Sequence, residues 1–585
     1  MCGINAFFSF NKINDSIISK LKLCNNDMFY RGPDDQDLWH NNEIAFSQVR
    51  LSIIGVNNGH QPLFNEDKNL VLICNGEIYN YKELKLQLEN KGHRFSSESD
   101  SEVILHLYEE YKEDFNTKIE GMFAYCLYDI KNKKLIVGRD IAGKKPLYYA
   151  QTSQGIIFSS ELKIIKKYFI DSPSINFEIL RQTQMFSYSI SPDSTYVKNI
   201  FKIPYASYAT ICKSEGYDIK IKRYFERYIY PTFTGTYEEA CYEVKRLLYK
   251  AVEKRLQSEV PIAVLLSAGI DSSAIASIAK EFKENVNVIS AGYKGKHDVD
   301  ERQEASKLSK QKGFIWNEIE LDENDFKNSF SNILPLLDEP NGDVAMFAQW
   351  EIYKKAKSLG FTVLVSGNGG DELFYGYKSH NDYALGLQWL ESQKKNFPVS
   401  SKNKAFMKLL PQFIKSMASK SDDAGNKVVV RNDYPVFNEL RKEAFKQYLP
   451  LDKEDWHRVQ HTDYIDKVYH FLNYAWLTNN CYFLGDKLAM GNSVEVRSPF
   501  ADIELIKFID SLPLEYKFKD QLPKQLLKDS LKDVLPDYVL NREKTGFTPP
   551  SSYVDTIIGN YKSLFFQEQP TTFSQLITDH FAGSI

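Results

Sequence analysis

Ile262-Ala263-Val264-Leu265-Leu266-Ser267-Ala268-Gly269-Ile270-Asp271-Ser272-Ser273 joins an apolar run to a turn built of small and hydroxyl residues. The apolar half reads as a strand buried on both faces, and the polar half as the start of a helix. Backbone N–H groups at such a turn, with the helix dipole behind them, form an anion site, so a phosphate group is the expected ligand. The pattern GxxxxGK[ST] is absent, so this is not the usual loop for γ-phosphoryl transfer. A plain Ser/Asp helix cap would account for Asp271 equally well.

On the C-terminal side, Val286 to Gly292, Phe314 to Leu321 and Phe361 to Val365 are further apolar or β-rich runs separated by helical patterns. Strand alternating with helix implies a parallel sheet covered on both faces, a doubly wound domain that starts near residue 240. A second loop, Ser366-Gly367-Asn368-Gly369-Gly370-Asp371-Glu372, follows the run Phe361 to Val365. Open parallel sheets bind ligands beyond the carboxyl ends of their strands, so both loops can face one phosphate-bearing ligand. Asp271 and Asp371 carry hard carboxylate oxygens suited to Mg²⁺ beside a phosphate group.

At 585 residues the chain is too long for one core, and two to four domains are expected. Hydrophobic residues make up 43% and charged residues 26%, which excludes disorder for the bulk, and a net charge of −4 gives no basic field for nucleic acid or an anionic membrane. The best spanning candidate, Ile262 to Ala279, is broken by Ser267, Asp271, Ser272 and Ser273, so no membrane partner is expected. Seven scattered cysteines without a CxxC pair, and no signal segment, point to a reducing cytoplasmic protein without a structural zinc. In the first 200 residues, Leu70 to Cys74, Phe123 to Ile130, Leu135 to Val137, Leu147 to Tyr149 and Ile156 to Phe158 read as antiparallel strands, with a helix from Asp100 to Tyr111. After about residue 380 the chain reads mostly helical, including Asp466 to Met490, with a polar stretch at Ser419 to Lys427. The division expected is 1–210, a linker at 211–238 centred on Arg223 to Tyr237, 239–555, and a C-terminal tail at 556–585.

Cys2 becomes the first residue once Met1 is trimmed, and there its α-amine can take the thiol proton at neutral pH, so one residue supplies nucleophile and base. A cysteine at position 2 can also be incidental. Asn75 and Gly76, after the run Val71 to Cys74, would make an oxyanion hole from a side-chain amide and a backbone N–H, or simply a hairpin turn. Arg50 could grip an α-carboxylate, and Glu77 and Asp100 an α-ammonium; each alone could equally be a solvated charge.

Met1-Cys2-Gly3-Ile4, Arg31-Gly32-Pro33-Asp34, Asn75-Gly76-Glu77-Ile78-Tyr79-Asn80, Ser99-Asp100-Ser101-Glu102, Lys145-Pro146-Leu147-Tyr148-Tyr149 and Phe158-Ser159-Ser160-Glu161-Leu162-Lys163 resemble the class II glutamine amidotransferase domain. The loop at Ser267 to Ser273 resembles the pyrophosphate loop SGGxDS. With Ser366 to Tyr377, Asp338-Glu339-Pro340, Ser493 to Phe500 and Arg542 to Phe547, the likeness extends to asparagine synthetases over roughly residues 1–550. The resemblance implies an α/β and α+β chain: an N-terminal-nucleophile αββα sandwich, then a doubly wound parallel-sheet ATP-pyrophosphatase domain with a helical C-terminal part. It implies Cys2 as nucleophile, Asn75 and Gly76 as oxyanion donors, and Arg50, Asn75, Glu77 and Asp100 around glutamine. For ATP it implies Leu265, Ser267, Gly269, Asp271, Ser272, Ala291, Ser366 and Gly367, with Lys544 on the leaving pyrophosphate and Mg²⁺ at Asp271 and Asp371. Lys524 is a further phosphate neighbour or a lysine on a solvated helix.

Two departures stand out. Ala268 replaces the loop's first glycine, and Asn368 replaces a Glu usual in the family and thought to handle protons near the activated carboxylate. With Asp371 and Glu372, Asn368 is an acceptor-site candidate. Glutamine, ATP and a carboxylate, aspartate by default, are the expected partners, and a homodimer is left open. The runner-up is the same chemistry on another carboxylate such as a sugar acid. A β-lactam-forming relative would not need Cys2 and its partners; a phosphoribosyl or sugar-isomerase amidotransferase would lack the Ser267 to Ser273 loop. A non-catalytic nucleotide sensor would explain Ala268 and Asn368 as decay.

Overall fold

Alternation along Cys2–Ser9 sets the architecture of the N-terminal half: Ile4, Ala6 and Phe8 point one way into a core with Val71, Ile73, Ala124 and Cys126, while Phe7 points the other way. In the computed structural model, which describes residues 2–227, 231–295, 300–382, 384–385, 464–542, 549–565 and 573–583, these strands form two six-stranded antiparallel sheets packed face to face. The first places Cys2–Ser9 between Gly155–Ser159 and Ile44–Arg50, and the second places Leu70–Ile78 between Leu63–Phe64 and Gly121–Asp129. Helix Asp15–Asp27 covers the outer face of the first sheet through Ile17, Leu21 and Cys24, which meet Phe7, Ala45 and Val49. Leu84, Leu88, Val103 and Leu107 cover the second through Leu70, Leu72 and Cys74. The result is a four-layer αββα sandwich, as expected. Phe8 is fully buried against the rings of Tyr128 and Tyr217, and truncating it would cost about 3–5 kcal/mol.

The C-terminal half carries one parallel sheet in the spatial order Ile315–Leu321, Asn287–Tyr293, Ile262–Leu265, Val363–Val365, Glu495–Arg497. Ala263, Ile289 and Leu364 pack on one face against Met346, Phe347 and Tyr353 of helix Ala345–Ser358. Val264, Val288 and Val365 pack on the other against Ala274, Ile275 and Ile278 of helix Ile270–Phe282. The chain leaves Ile262–Leu265 toward one edge and Val363–Val365 toward the other, so the crevice between these paired neighbours is the topological switch point.

Three elements differ from the reading of the sequence. Glu495–Arg497 is a fifth strand, invisible as an apolar run because two of its three residues are charged and pair with each other. Lys220–Arg223, inside the stretch assigned to the linker, pairs with Ser207–Cys212, and the capping box of Thr236 and Glu239 opens helix Tyr237–Arg255. Asp466 to Met490 is helical as expected, but Leu472–Tyr482 at its centre is π-helix. Helix Phe573–Gly583, from the C-terminal stretch, reaches back to the first half, where Phe581 meets Tyr196 and Ser574 meets Ser187. All seven cysteines are free, and no described helix is long and apolar enough to cross a membrane. Ser419 to Lys427 and Lys544 lie outside the described residues.

Candidate functional site

Strand pairing brings the first constellation together. Cys2 lies opposite Arg50 in the first sheet, and the Cys2 N–H donates to Asn75 Oδ1 at 3.0 Å across the sandwich. Asn75 and Gly76 are not a hairpin turn; they continue the strand Leu70–Ile78. A Cβ on Gly76 would lie 2.1 Å from the Met122 carbonyl oxygen, so only glycine permits this pairing. With Oδ1 committed to Cys2, Asn75 Nδ2 is buried and has no hydrogen-bond partner, the state expected of a donor kept for a developing oxyanion. Arg50 is likewise half committed: Nη2 donates to the carbonyls of Ile54 and Gly55 at 3.1 and 2.8 Å, while Nη1 is buried and unpartnered.

Two carboxylates complete this pocket. Burial pushes Asp100 up to about 6 although the Ile78 N–H bonds it at 2.6 Å. Burial and the Asp100 charge push Glu77 well above the usual carboxylate range against the pull of Arg497, whose Nη2 lies 3.1 Å away. A buried pair short of positive charge is suited to receive an ammonium group.

At the switch point the two loops touch. A Cβ on Gly370 would sit 2.6 Å from Asp271 Cγ, and one on Gly367 2.9 Å from Asp271 Cβ, so the glycines of the second loop let the carboxylate of the first lie against its backbone. Asp271 stands in the first turn of helix Ile270–Phe282, whose N-cap is Gly269, so Asp271 is not the cap. Ser272 Oγ links the Ser267 N–H to the Gly269 carbonyl and holds the loop's shape. Ala268 is fully buried at φ +52°, the left-handed conformation that a glycine would adopt freely.

Lys524 is no solvated lysine. It is 6% exposed, and its ammonium lies 2.5 Å from Asp271 Oδ2 and 2.7 Å from Asp371 Oδ1. Leu265 ends its strand and Ala291 lies within the neighbouring strand Asn287–Tyr293, and the Ser366 N–H donates to the Arg497 carbonyl at 2.8 Å. Glu372 is buried and accepts from the Tyr377 hydroxyl at 2.6 Å. Asn368, half-buried, lines a narrow cleft with Lys144, Tyr482, Asp486 and Ser498.

The two halves meet through buried charges whose function sequence reasoning missed. Arg31 donates to the Cys2 carbonyl at 3.2 Å, to Glu161 at 2.6 Å and to Asp486 at 2.8 Å. Asp486 also meets Lys145 at 3.3 Å, and Lys487 bridges Glu161 at 3.0 Å and Asp338. Lys144 reaches Ser498 Oγ at 3.1 Å; burial and neighbouring Lys145 hold its ammonium well below the usual lysine range. Arg31, Lys145, Glu161 and Asp338 stand in motifs that carried the resemblance, which was the available signal.

Residues 1–225 match the family described as glutamine amidotransferase domain, and residues 243–574 the family described as asparagine synthase. The chain belongs to the asparagine synthetase family. Asparagine synthetase [glutamine-hydrolyzing] 1 of Bacillus subtilis is 32% identical over 565 residues, covering 94% of this chain and 87% of that protein. Asparagine synthetase [glutamine-hydrolyzing] 3 of the same organism is 28% identical over 574 residues, with the same coverage of both chains. Within this asparagine synthetase fold Asn368 sits on the second-loop turn, beside the interdomain cavity, where an amide offers both donor and acceptor.

Proposed function

We propose that the chain hydrolyses glutamine at Cys2 and delivers the ammonia to a carboxylate activated by ATP, aspartate by default. Family membership makes it an ATP-dependent, glutamine-hydrolysing ligase. The single observation that carries the coupling is Arg31: one buried guanidinium bonds the nucleophile's own carbonyl and Asp486, which lines the cavity shared with Asn368.

The residues divide the work. The Cys2 thiolate attacks the glutamine amide carbon, Asn75 Nδ2 and the Gly76 N–H receive the oxyanion, ammonia leaves, and water hydrolyses the thioester. Arg50 Nη1 takes the glutamine carboxylate, and Asp100 with Glu77 takes its ammonium. In the crevice the acceptor carboxylate attacks the α-phosphate and releases pyrophosphate onto the Ser267 to Ser273 turn, with Leu265, Ala291, Ser366 and Gly367 at the nucleoside. Ammonia then attacks the acyl-AMP and releases AMP and the amide. Asp271 and Asp371 fit Mg²⁺, since both already share one cation, Lys524. When bound, the ion would neutralise pyrophosphate oxygens. Lys524 and Lys544 supply further positive charge to the leaving group. Burial favours the neutral form of Lys144, so the passage between the halves offers little to hold an ammonium ion and suits neutral ammonia, which is the form that attacks.

A second reading keeps this chemistry and changes the acceptor. The Asn368 amide, where the family has a carboxylate, favours an acceptor bearing an extra hydroxyl or carbonyl, such as a sugar acid. One experiment decides: supply glutamine, ATP, Mg²⁺ and a panel of carboxylic acids, and record which acid yields both AMP and an amide. ADP in place of AMP would overturn the adenylation, and absence of turnover with every acid would favour a nucleotide sensor.

A further inference from the structure

Far from Cys2 in sequence, on the helix side of the second sheet, four side chains converge without a part in the reaction above. His106 on helix Val103–Tyr111 is fully buried, and its Nδ1 lies 2.9 Å from Glu109 Oε2 and 3.6 Å from Glu66 Oε2. His93 Nδ1 lies 3.4 Å from the same Glu109 oxygen and 3.9 Å from Glu66 Oε1. One ligand atom from each of the four residues falls within 4.8 Å of all the others.

The spacing is that of a coordination shell. Zinc bonds of about 2.0–2.1 Å to nitrogen and oxygen place tetrahedral ligands about 3.3 Å apart, and the four contacts bracket that edge. The supporting contacts match as well. His93 Nε2 meets Glu110 Oε1 at 3.1 Å, which turns its near nitrogen to the cluster, while His106 Nε2 lies 3.8 Å from Glu102 Oε1 without a hydrogen bond. Asn65 Nδ2 holds Glu109 Oε1 at 2.8 Å, the Arg94 N–H holds Glu66 Oε1 at 2.7 Å, and the N–H groups of Ser96 and Ser97 hold Glu102.

We propose that Glu66, His93, His106 and Glu109 bind a divalent transition cation in tetrahedral geometry, with zinc the natural occupant. Two imidazoles and two carboxylates suit that ion. This departs from the expectation of a protein without a structural zinc, which was drawn from the cysteines alone. The ion would tie the turn at His93 and the turn at Glu66 to the helix that follows Asp100, bracing the segment that carries part of the glutamine pocket.

The test titrates the full-length, chelator-treated protein with ZnCl₂ against a chromophoric competitor. Wild type is expected to bind one zinc more than His93→Ala and than Glu66→Gln, two changes at partly or fully exposed positions whose folding circular dichroism verifies. Glu110→Gln, which removes the carboxylate beside His93 and also frees Lys91, should weaken binding by about 10–100-fold. Cobalt substitution should give the intense visible bands of tetrahedral coordination without a thiolate charge-transfer band, which separates this site from Cys2. Equal zinc uptake by wild type and both variants overturns the proposal, as does a cobalt spectrum of octahedral intensity.

Discussion

At Cys2 the buried donors are left open, whereas in the phosphate crevice the charges already satisfy one another. Asn75 Nδ2 and Arg50 Nη1 have no partner, and Glu77 and Asp100 are short of positive charge. Across the interface, Lys524 closes on both Asp271 and Asp371. The first pocket is preorganised for a zwitterionic amino acid; the second must rearrange its ion pairs when a nucleotide with Mg²⁺ arrives. Cys2→Ala breaks the comparison at its strongest point. Glutamine hydrolysis should fall to background while amide formation from added ammonium persists, as measured by glutamate release and AMP production side by side. Loss of both activities would mean that the halves do not divide the reaction.

Asp271→Asn and Asp371→Asn test the other half. Each leaves Lys524 with one carboxylate and removes a proposed Mg²⁺ ligand, so ATP-dependent amide formation should drop on the order of 10²–10³-fold, the scale of losing one preorganised electrostatic partner. Glutaminase activity should stay near wild type. Asn368→Glu asks what the amide at this position is for. If it pairs with a special acceptor, wild type turns over aspartate poorly, and the carboxylate of Glu should move activity toward aspartate by a part of the about 10²–10⁴-fold that general-base help is worth. An enzyme that makes asparagine well and ignores the substitution would leave Asn368 as an ordinary turn residue.

The same comparison shows what local patterns could reveal. The strand and turn at Ile262 to Ser273 were legible because an apolar run and a hydroxyl-rich turn are local signals, and the parallel sheet followed from their repetition. Lys524 was not, because its burial comes from Asp271, 253 residues away in sequence. Arg31 and Asp486, 455 residues apart, make the same point: charges in motifs were visible, but not that they face each other across the two halves. Asn75-Gly76 was ambiguous for a different reason. The pair favours a hairpin locally, and only the partner strand Gly121–Asp129 keeps it extended.

A smaller effect separates the pockets by pH. Burial raises Asp100 from an ordinary 3.8 to about 6, so below that pH it is protonated and cannot hold an ammonium. KM for glutamine should therefore rise about tenfold for each unit below pH 6, as the ionised fraction falls, while the ammonium-driven reaction lacks this limb. Stability has the opposite sign: the folded state binds the Asp100 proton more tightly than the unfolded state. This contribution is complete below pH 3.8 and is lost as pH rises through about 6. Asp100→Asn should remove the part of the acid limb that Asp100 sets; a limb that survives belongs to Glu77, whose carboxyl is raised as well.

The smallest effect is expected at Ala268, where the chain departs from the glycine of related loops. A left-handed L-residue costs roughly 1–2 kcal/mol, and φ +52° places Ala268 in that region. Two gains oppose the strain. Its methyl packs in the core with Val264 and Leu266, worth about 0.8 kcal/mol per buried carbon, and alanine reduces unfolded-chain freedom relative to glycine by about 0.4–1 kcal/mol. The sums nearly cancel, which explains how alanine is accommodated without distorting the turn held by Ser272. Ala268→Gly should therefore shift unfolding stability by less than about 1 kcal/mol in denaturant titrations, with little change in AMP formation. Ala268→Val, β-branched and unable to adopt this conformation without strain, should be plainly destabilised and should lose amide formation before glutaminase activity. A marked gain in stability for glycine would show that the methyl's packing does not offset the backbone strain and that the turn stores it.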